Sequence, residues 1–219
     1  MQPKERTAEQ KNMERQKILD AALDIIVKEG YNNLSMRKIA SEIGSSATKI
    51  YSYFHSKEEV YLSVVIEGFH ALCKIMEEVA VKCSSPEERL TGYLRAFISF
   101  SIENRNFYEV LFETKAPKHK QFVGTPMESI AKQKYDIGTK LFSMGEQALQ
   151  EYVDKNHIRT RYDAKTLSFI VFGYLHGVIS FYHNRLTEEL FDRPEQTLDD
   201  GVKLILEALH YKVANELHH

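Results

Sequence analysis

Residues Leu34 to Val60 read LSMRKIASEIGSSATKIYSYFHSKEEV, and this stretch fixes how the rest of the chain is to be read. Ser35 is placed to cap a first short helix, its hydroxyl accepting an orphan backbone N–H. Ile39, Ala40 and Ile43 then share one helical face, while Arg37, Lys38 and Glu42 lie off it. Gly44 ends the helix, because glycine takes the left-handed conformation at low cost. Ser45 or Ser46 caps the next helix, from Ala47 to about Tyr53, with Ile50 as its apolar anchor and Phe54 four residues on. Two helices this short, with so little apolar surface, are unstable alone. The preceding helix offers them a base: Ile18, Ala22, Ile25 and Ile26, flanked by Leu19 and Leu23, form a broad apolar stripe closed by Gly30. The pattern is a helix-turn-helix, the unit that sets one helix into the major groove of DNA.

The polar side of the second short helix carries the chemistry. Thr48 and Lys49 have lengths suited to base edges or nearby phosphates, and lysine at a base-facing position suits guanine. Tyr51, Tyr53 and Lys57 carry hydroxyl or ammonium donors suited to phosphate oxygens. Taken as pattern alone, the same residues also fit a helical pair in an ordinary all-α protein with a solvated, charged face.

The segment resembles the N-terminal domain of the tetracycline-repressor (TetR) family of transcriptional regulators. That family shows a Thr or Ser, then R-x-I-A, then after a few residues G-V-S-x-G-T-L-Y, followed by a H/Y-F pair and S/N-K-E-x-L. Ser35, Arg37, Ile39, Ala40, Gly44, Ser46, Ile50, Tyr51, Tyr53, Phe54, Ser56, Lys57, Glu58 and Val60 fall in step with it. The chain departs from the pattern at Ser45, where an apolar residue is usual, and at Thr48-Lys49, where Gly-Thr is frequent. The departures fall on candidate base contacts; the phosphate anchors Tyr51, Tyr53 and Lys57 keep the family's residue types. The expected DNA-facing set is Arg15, Ser35, Arg37, Ser46, Ala47, Thr48, Lys49, Tyr51, Ser52, Tyr53 and Lys57.

Composition agrees without demanding it. The 219 residues include 29 basic and 31 acidic ones, a formal net charge of -2, so bulk charge does not advertise a nucleic-acid partner. Locally, Arg37, Lys38, Lys49 and Lys57 stand against Glu42 alone between Ser35 and Lys57. A small excess of this kind suffices for a dimer that grips a few phosphates at each half-site. Cys73 and Cys83 fall on one predicted helix about 15 Å apart, too far to bond while it is intact. The absence of a disulfide framework fits a reducing cytoplasm. The first residues, MQPKERTAEQKNMERQK, hold no apolar signal core and read as a short flexible arm; its cations Lys4, Arg6, Lys11 and Arg15 are diluted by Glu5, Glu9 and Glu14.

No H-E-x-x-H, C-x-x-C, P-loop or G-x-S-x-G run occurs, so an enzyme, a cofactor or a metal site is not expected. His218 and His219, at the end of the sequence, carry no metal-site reading. The competing reading is a helical-bundle small-molecule binding protein or enzyme without DNA binding.

The expected fold is all-α with about nine helices, near 14–29, 35–43, 46–53, 57–82, 86–103, 106–114, 126–155, 162–186 and 197–216. Capping boxes mark several starts: Ser56-Lys57-Glu58-Glu59, Ser85-Pro86-Glu87-Glu88, Thr125-Pro126-Met127-Glu128 and the weaker Thr197-Leu198-Asp199-Asp200. A three-helix DNA-binding domain over 1–56 would join, through one long helix, an effector-binding and dimerisation domain over 57–219. The one sizeable irregular stretch runs from Lys115 to Gly124.

Leu167 to Tyr182, LSFIVFGYLHGVISFY, is apolar almost all round. As a membrane span it is short and contains His176, so no membrane partner is expected. A helix apolar on every face must be buried on every face, here by its own core and by a second subunit. Gly173 and Gly177 would let a helix approach closely, and Val202, Leu204, Ile205, Leu206 and Leu209 add a second apolar helix. The resemblance implies the same: a homodimer formed through the last two long helices. The expected interface is Leu175, Gly177, Ile179, Tyr182, Leu204 and Leu206. The resemblance also implies a small-molecule effector held in the central helices, with Phe69, Phe100, Phe107, Tyr135, Tyr174 and His176 as candidates. Each of these also fits ordinary core packing, and His176 fits a hydrogen-bonded core histidine. The function so implied is a cytoplasmic, ligand-responsive regulator, most simply a repressor, that binds a palindromic operator in double-stranded DNA as a dimer.

Overall fold

The computed structural model describes residues 7–215, with side chains over residues 7–210. Lys4 and Arg6 of the N-terminal arm, and His218 and His219, lie outside the described residues. Within them the fold is all-α, with ten α-helices. They are α1 (Ala8–Glu29), α2 (Met36–Glu42), α3 (Ala47–Tyr51), α4 (Lys57–Lys82), α5 (Pro86–Glu103), α6 (Arg105–Tyr108), α7 (Glu128–Lys155), α8 (Ala164–His183), α9 (Leu186–Leu190) and α10 (Pro194–Asn215).

Packing divides the chain into two compact units, the first made of residues up to Ala71 with Asn104–Gly138, the second of Leu72–Glu103 with residues from Thr139 on. Helices α4 and α7 contribute residues to both. The first unit holds α1, α2 and α3 around Ile18, Ile26, Leu34, Ile39, Ile50 and Phe54, each 3% exposed or less. Burying side chains of this size stabilises by about 1.5–3 kcal/mol apiece. The second unit packs α8 against α5, α9 and α10.

Several boundaries differ from the sequence-based expectation, each for a local reason. Helix α1 starts at Ala8 rather than near residue 14, because Thr7 and Gln10 form a reciprocal capping box. Gln10 N–H donates to Thr7 Oγ1 at 3.2 Å and Thr7 N–H donates to Gln10 Oε1 at 3.1 Å. The expected flexible arm is thus helical from Ala8, and Lys11 and Arg15 stand on α1. The helix expected over 106–114 ends as a π turn, Glu109–Glu113, with the Thr114 N–H donating to the Glu109 carbonyl at 2.9 Å. Helix α7 begins at Glu128, since Thr125 closes a turn in which the Gly124 N–H donates to Glu128 Oε2 at 2.9 Å.

One helix expected over 162–186 is two: Arg185, in the left-handed conformation at φ 62°, separates α8 from α9 and brings the count to ten. Helix α10 starts at Pro194, a residue suited to the first helical position, and Thr197 spends its hydroxyl on the Pro194 carbonyl at 2.6 Å instead of capping. The irregular stretch from Lys115 contains a 3-10 turn, His119–Phe122, that buries Phe122.

Helix α8 has 20 residues and is long and apolar enough to cross a membrane by length and composition, which corrects the expectation that the segment is too short. In this fold Ala164, Ser168, Leu175 and Ile179 are buried in its own unit. Among the described residues, however, only one side of α8 is covered. Phe169, Ile170, Tyr174 and Phe181 are exposed, Phe169 at 69%. A Cβ added at Gly173 or Gly177 would meet no atom within 4 Å.

Candidate nucleic-acid interface

The turn between α2 and α3 is built from backbone chemistry that the sequence specifies. Ser35 caps α2, accepting from the Lys38 N–H at 3.2 Å. At the other end the Ser45 N–H donates to the Ala40 carbonyl at 2.8 Å and the Gly44 N–H to the Ser41 carbonyl at 3.2 Å. This is a Schellman closure, and Gly44 takes its left-handed place at φ 61°. Ser46 then caps α3, accepting from the Lys49 N–H at 3.2 Å.

Helix α3 is only five residues long, so its neighbours hold it. Ile50 and Phe54 point inward and are 0% and 1% exposed. Their spacing turns Thr48, Tyr51 and Ser52 to the opposite face, where all three are exposed. Tyr51 is 55% exposed. Arg37 and Ser35 are also exposed, Ala47 and Tyr53 partly so. The Ser46 hydroxyl accepts at its cap and keeps its proton for another acceptor. Ser52 already donates to the Lys49 carbonyl at 2.7 Å, so it must turn its hydroxyl before it can donate elsewhere.

The cations are less free than the sequence suggests. The Lys49 ammonium is paired with Glu14 of α1. Lys38 is paired with Glu29. Arg15 donates to Ser63 Oγ at 3.2 Å and its guanidinium lies 4.8 Å from the Phe54 ring centre. Arg15 thus braces α1 against α4 and Phe54. Lys57 sits 5.0 Å from the ring centre of Tyr31. Burial, reinforced by the neighbouring Glu58 carboxylate, pushes the Tyr31 hydroxyl up to about 12. Burial does the same to Tyr61, whose ring meets Tyr31 edge-on at 4.8 Å.

The candidate effector residues fall in two groups, one in each unit. In the first unit Phe69 is 8% exposed and packs edge-on to Phe112 at 6.2 Å, while the Phe107 ring covers Gly68. Tyr135 is 54% exposed and stacks on His119 at 4.9 Å, a surface position. In the second unit Phe100 is fully buried. His176 lies 4.2 Å from the Phe172 ring and 5.4 Å from that of Phe97, and burial pushes its imidazole down to about 4. Phe172 escaped the sequence reading, although its place four residues before His176 on α8 puts both on one face. Tyr174 borders a mostly apolar cleft of about 390 Å³ with Ile158, Tyr162, Ile170 and Leu204.

The expected dimer residues also divide. Leu175 and Ile179 are 4% and 1% exposed, turned into the chain's own core by the rotation of α8, which corrects their assignment to a subunit interface. Tyr182 and Leu206 are half-buried, whereas Gly177 and Leu204 are exposed. The exposed Phe169, Ile170 and Phe181 were not in the expected set.

A capped helix, a glycine Schellman turn and a second capped helix with an outward polar face, resting on a third, define the helix-turn-helix class of DNA-binding fold. Residues 18–64 match the family described as bacterial regulatory proteins, tetR family. The match takes in the helix-turn-helix segment, which is thus similar to that of the TetR family. The chain is 32% identical over 97 residues to the fatty acid metabolism regulator protein of Bacillus subtilis (strain 168), a match covering 44% of this chain and 50% of that one. The match therefore spans about half the length of that curated relative.

Among solved structures, the fatty acid degradation regulator FadR from Bacillus halodurans superposes with TM-score 0.65 at 18% identity, over 93% of this chain and 97% of that one. FadR from Bacillus subtilis in complex with stearoyl-CoA superposes with TM-score 0.65 at 20% identity, over 87% and 96%. At these identities the superpositions establish the fold.

Proposed function

We propose that this protein is a ligand-responsive transcriptional regulator. It binds a palindromic operator as a homodimer and releases it when a small molecule binds. The observation that carries the reading is the capped α2–Gly44–α3 turn with Thr48 and Tyr51 exposed on the outer face, in a segment that matches the TetR family. In this reading residues 1–56 read DNA, with Thr48 and Lys49 near base edges. Tyr51, Tyr53 and Lys57 hold phosphates, and Ser35, Arg37, Ser46, Ala47 and Ser52 border the groove. Residues 57–219 bind the effector and dimerise. The protein works in the cytoplasm, needs no cofactor and catalyses no reaction.

The uncovered side of α8 supports the dimer. Phe169, Ile170, Gly173, Gly177 and Phe181 recur at helical spacing, with Leu204 exposed on α10. A two-fold dimer on a palindrome needs its two α3 helices about 34–36 Å apart, one turn of duplex.

The effector class we propose is a long-chain acyl-CoA. One matched relative is named for fatty acid metabolism, one solved neighbour for fatty acid degradation, and another holds stearoyl-CoA. The aromatic side chains around His176 in the second unit suit an apolar chain. Coupling requires that the ligand bind the DNA-competent and released states with different affinity. The test is selection of duplexes from a random pool by the purified protein, followed by titration of the complex with stearoyl-CoA. Saturable, salt-sensitive binding to a palindrome, lost on titration, is expected. No preference for any palindrome over random DNA sinks the regulator reading; retention of DNA at saturating stearoyl-CoA sinks the effector class.

A further inference from the structure

The Thr48-Lys49 pair is one of two places where this chain departs from the TetR pattern, and of the pair it is Lys49 that the fold has partnered. Its backbone is fixed on both sides, the N–H by Ser46 and the carbonyl by Ser52. Its freedom is the four-carbon stem. That stem reaches Glu14, the seventh residue of α1, and forms an ion pair between side chains 30% and 24% exposed. The other oxygen of Glu14 lies 3.7 Å from Lys17. Helix α1 therefore delivers a carboxylate to the flank of the helix that faces DNA. The ammonium has three donors, so a phosphate or a guanine edge must share it with that carboxylate or displace it.

We propose that Glu14 is a specificity-determining residue that competes with DNA for Lys49. The inference rests on the DNA-binding reading above. On an arbitrary duplex a single phosphate offers Lys49 about what Glu14 already gives, so the lysine stays on the protein and contributes nothing. A correctly placed guanine offers two acceptors, O6 and N7, and draws it across. Glu14 thus lowers affinity for wrong sequences more than for the right one. The pair is partly screened, so each such exchange is small.

The experiment compares wild type, Glu14→Gln, Lys49→Met and the double variant. Each is titrated against a palindromic duplex selected by the wild-type protein and against a scrambled duplex of the same length, over a range of salt. Glu14→Gln should tighten the scrambled duplex about fivefold for each half-site engaged. It should also steepen the dependence of log K on log salt by about 0.9 for each freed lysine. The selected duplex should gain less, so the preference between the two falls. In the Lys49→Met background the same change should alter scrambled affinity by less than about twofold.

Glu14→Asp, which keeps the charge but shortens the reach, should give part of the effect, and thermal melts check that each variant is folded. An unchanged or weakened scrambled affinity in Glu14→Gln overturns the proposal. So does an equal gain in the Lys49→Met background, which would mark a long-range charge effect. If wild type shows no preference for any selected duplex, the DNA-binding reading itself has failed; a preference untouched by Glu14→Gln removes only the role given to Glu14.

Discussion

Lys57 joins the two roles a cation can play in this interface. Its ammonium rests 5.0 Å from the Tyr31 ring centre, an attraction worth about 0.5–1 kcal/mol where exposed. The same ammonium stands at the start of α4, where the family's pattern has a phosphate-gripping lysine. Replacing Lys57 by Ala should weaken cognate and scrambled duplexes alike and flatten the salt slope by about 0.9 for each phosphate no longer neutralised, as read by anisotropy titrations. A weakening confined to the cognate duplex would argue against a phosphate role.

His176 sits at the other extreme, a titratable ring enclosed by Phe97 and Phe172. Its value falls from 6.5 to about 4 because burial disfavours the cation, so the unfolded chain takes up the proton first. The stability it contributes is complete above pH 6.5 and is lost as pH falls toward 4. Denaturant melts across that window should show a slope that His176→Phe reduces; an unchanged slope would place the acid sensitivity elsewhere.

The helices show how local chemistry and packing divide the work. Helix α7 closes with a Schellman turn in which His157, exposed, occupies the left-handed position at φ 52°. The Ile158 N–H donates to the Val153 carbonyl at 3.0 Å and the His157 N–H to the Asp154 carbonyl at 3.2 Å. A side chain there costs about 1–2 kcal/mol, part of which glycine would return as backbone entropy in the unfolded chain. His157→Gly should therefore raise stability by about 0.5–1 kcal/mol in denaturant melts. Gly92 of α5 works the other way. In an open helix, Gly→Ala gains about 1 kcal/mol. A Cβ at Gly92 would lie 2.6 Å from Val79 Cγ1, on a stiff β-branched side chain of α4. Gly92→Ala should be net destabilising by about 1 kcal/mol or more, overpacking outweighing propensity; a gain in melting temperature would show that α4 and α5 can separate freely.

At the scale of the whole molecule, the apolar surface left on α8 is the unfinished part of the fold. Phe169 is 69% and Ile170 55% exposed, so changing them costs the single chain little. Phe169→Asp should nevertheless convert a dimer to a monomer in sedimentation runs and lower operator affinity by at least about tenfold, since each half-site would then bind alone. A variant that stays dimeric would move the interface away from this stripe.

What the sequence determined by itself was what lies within a turn of a helix. The caps at Ser35, Ser46 and Ser56, the Gly44 stop and the inward pair Ile50 and Phe54 are set by neighbours three to five residues away, so they are legible in order and spacing. The Thr7–Gln10 box is of the same kind and equally legible. The tertiary structure alone decided what depends on how helices are turned and which ones meet. Helix α8 is apolar on nearly every face, so nothing in its pattern says that Leu175 and Ile179 face inward while Phe169 and Phe181 face out. Nor does any local signal pair Glu14 with Lys49, because an ion pair across α1 and α3 exists only once the core of Ile18, Ile39 and Ile50 has brought those helices together.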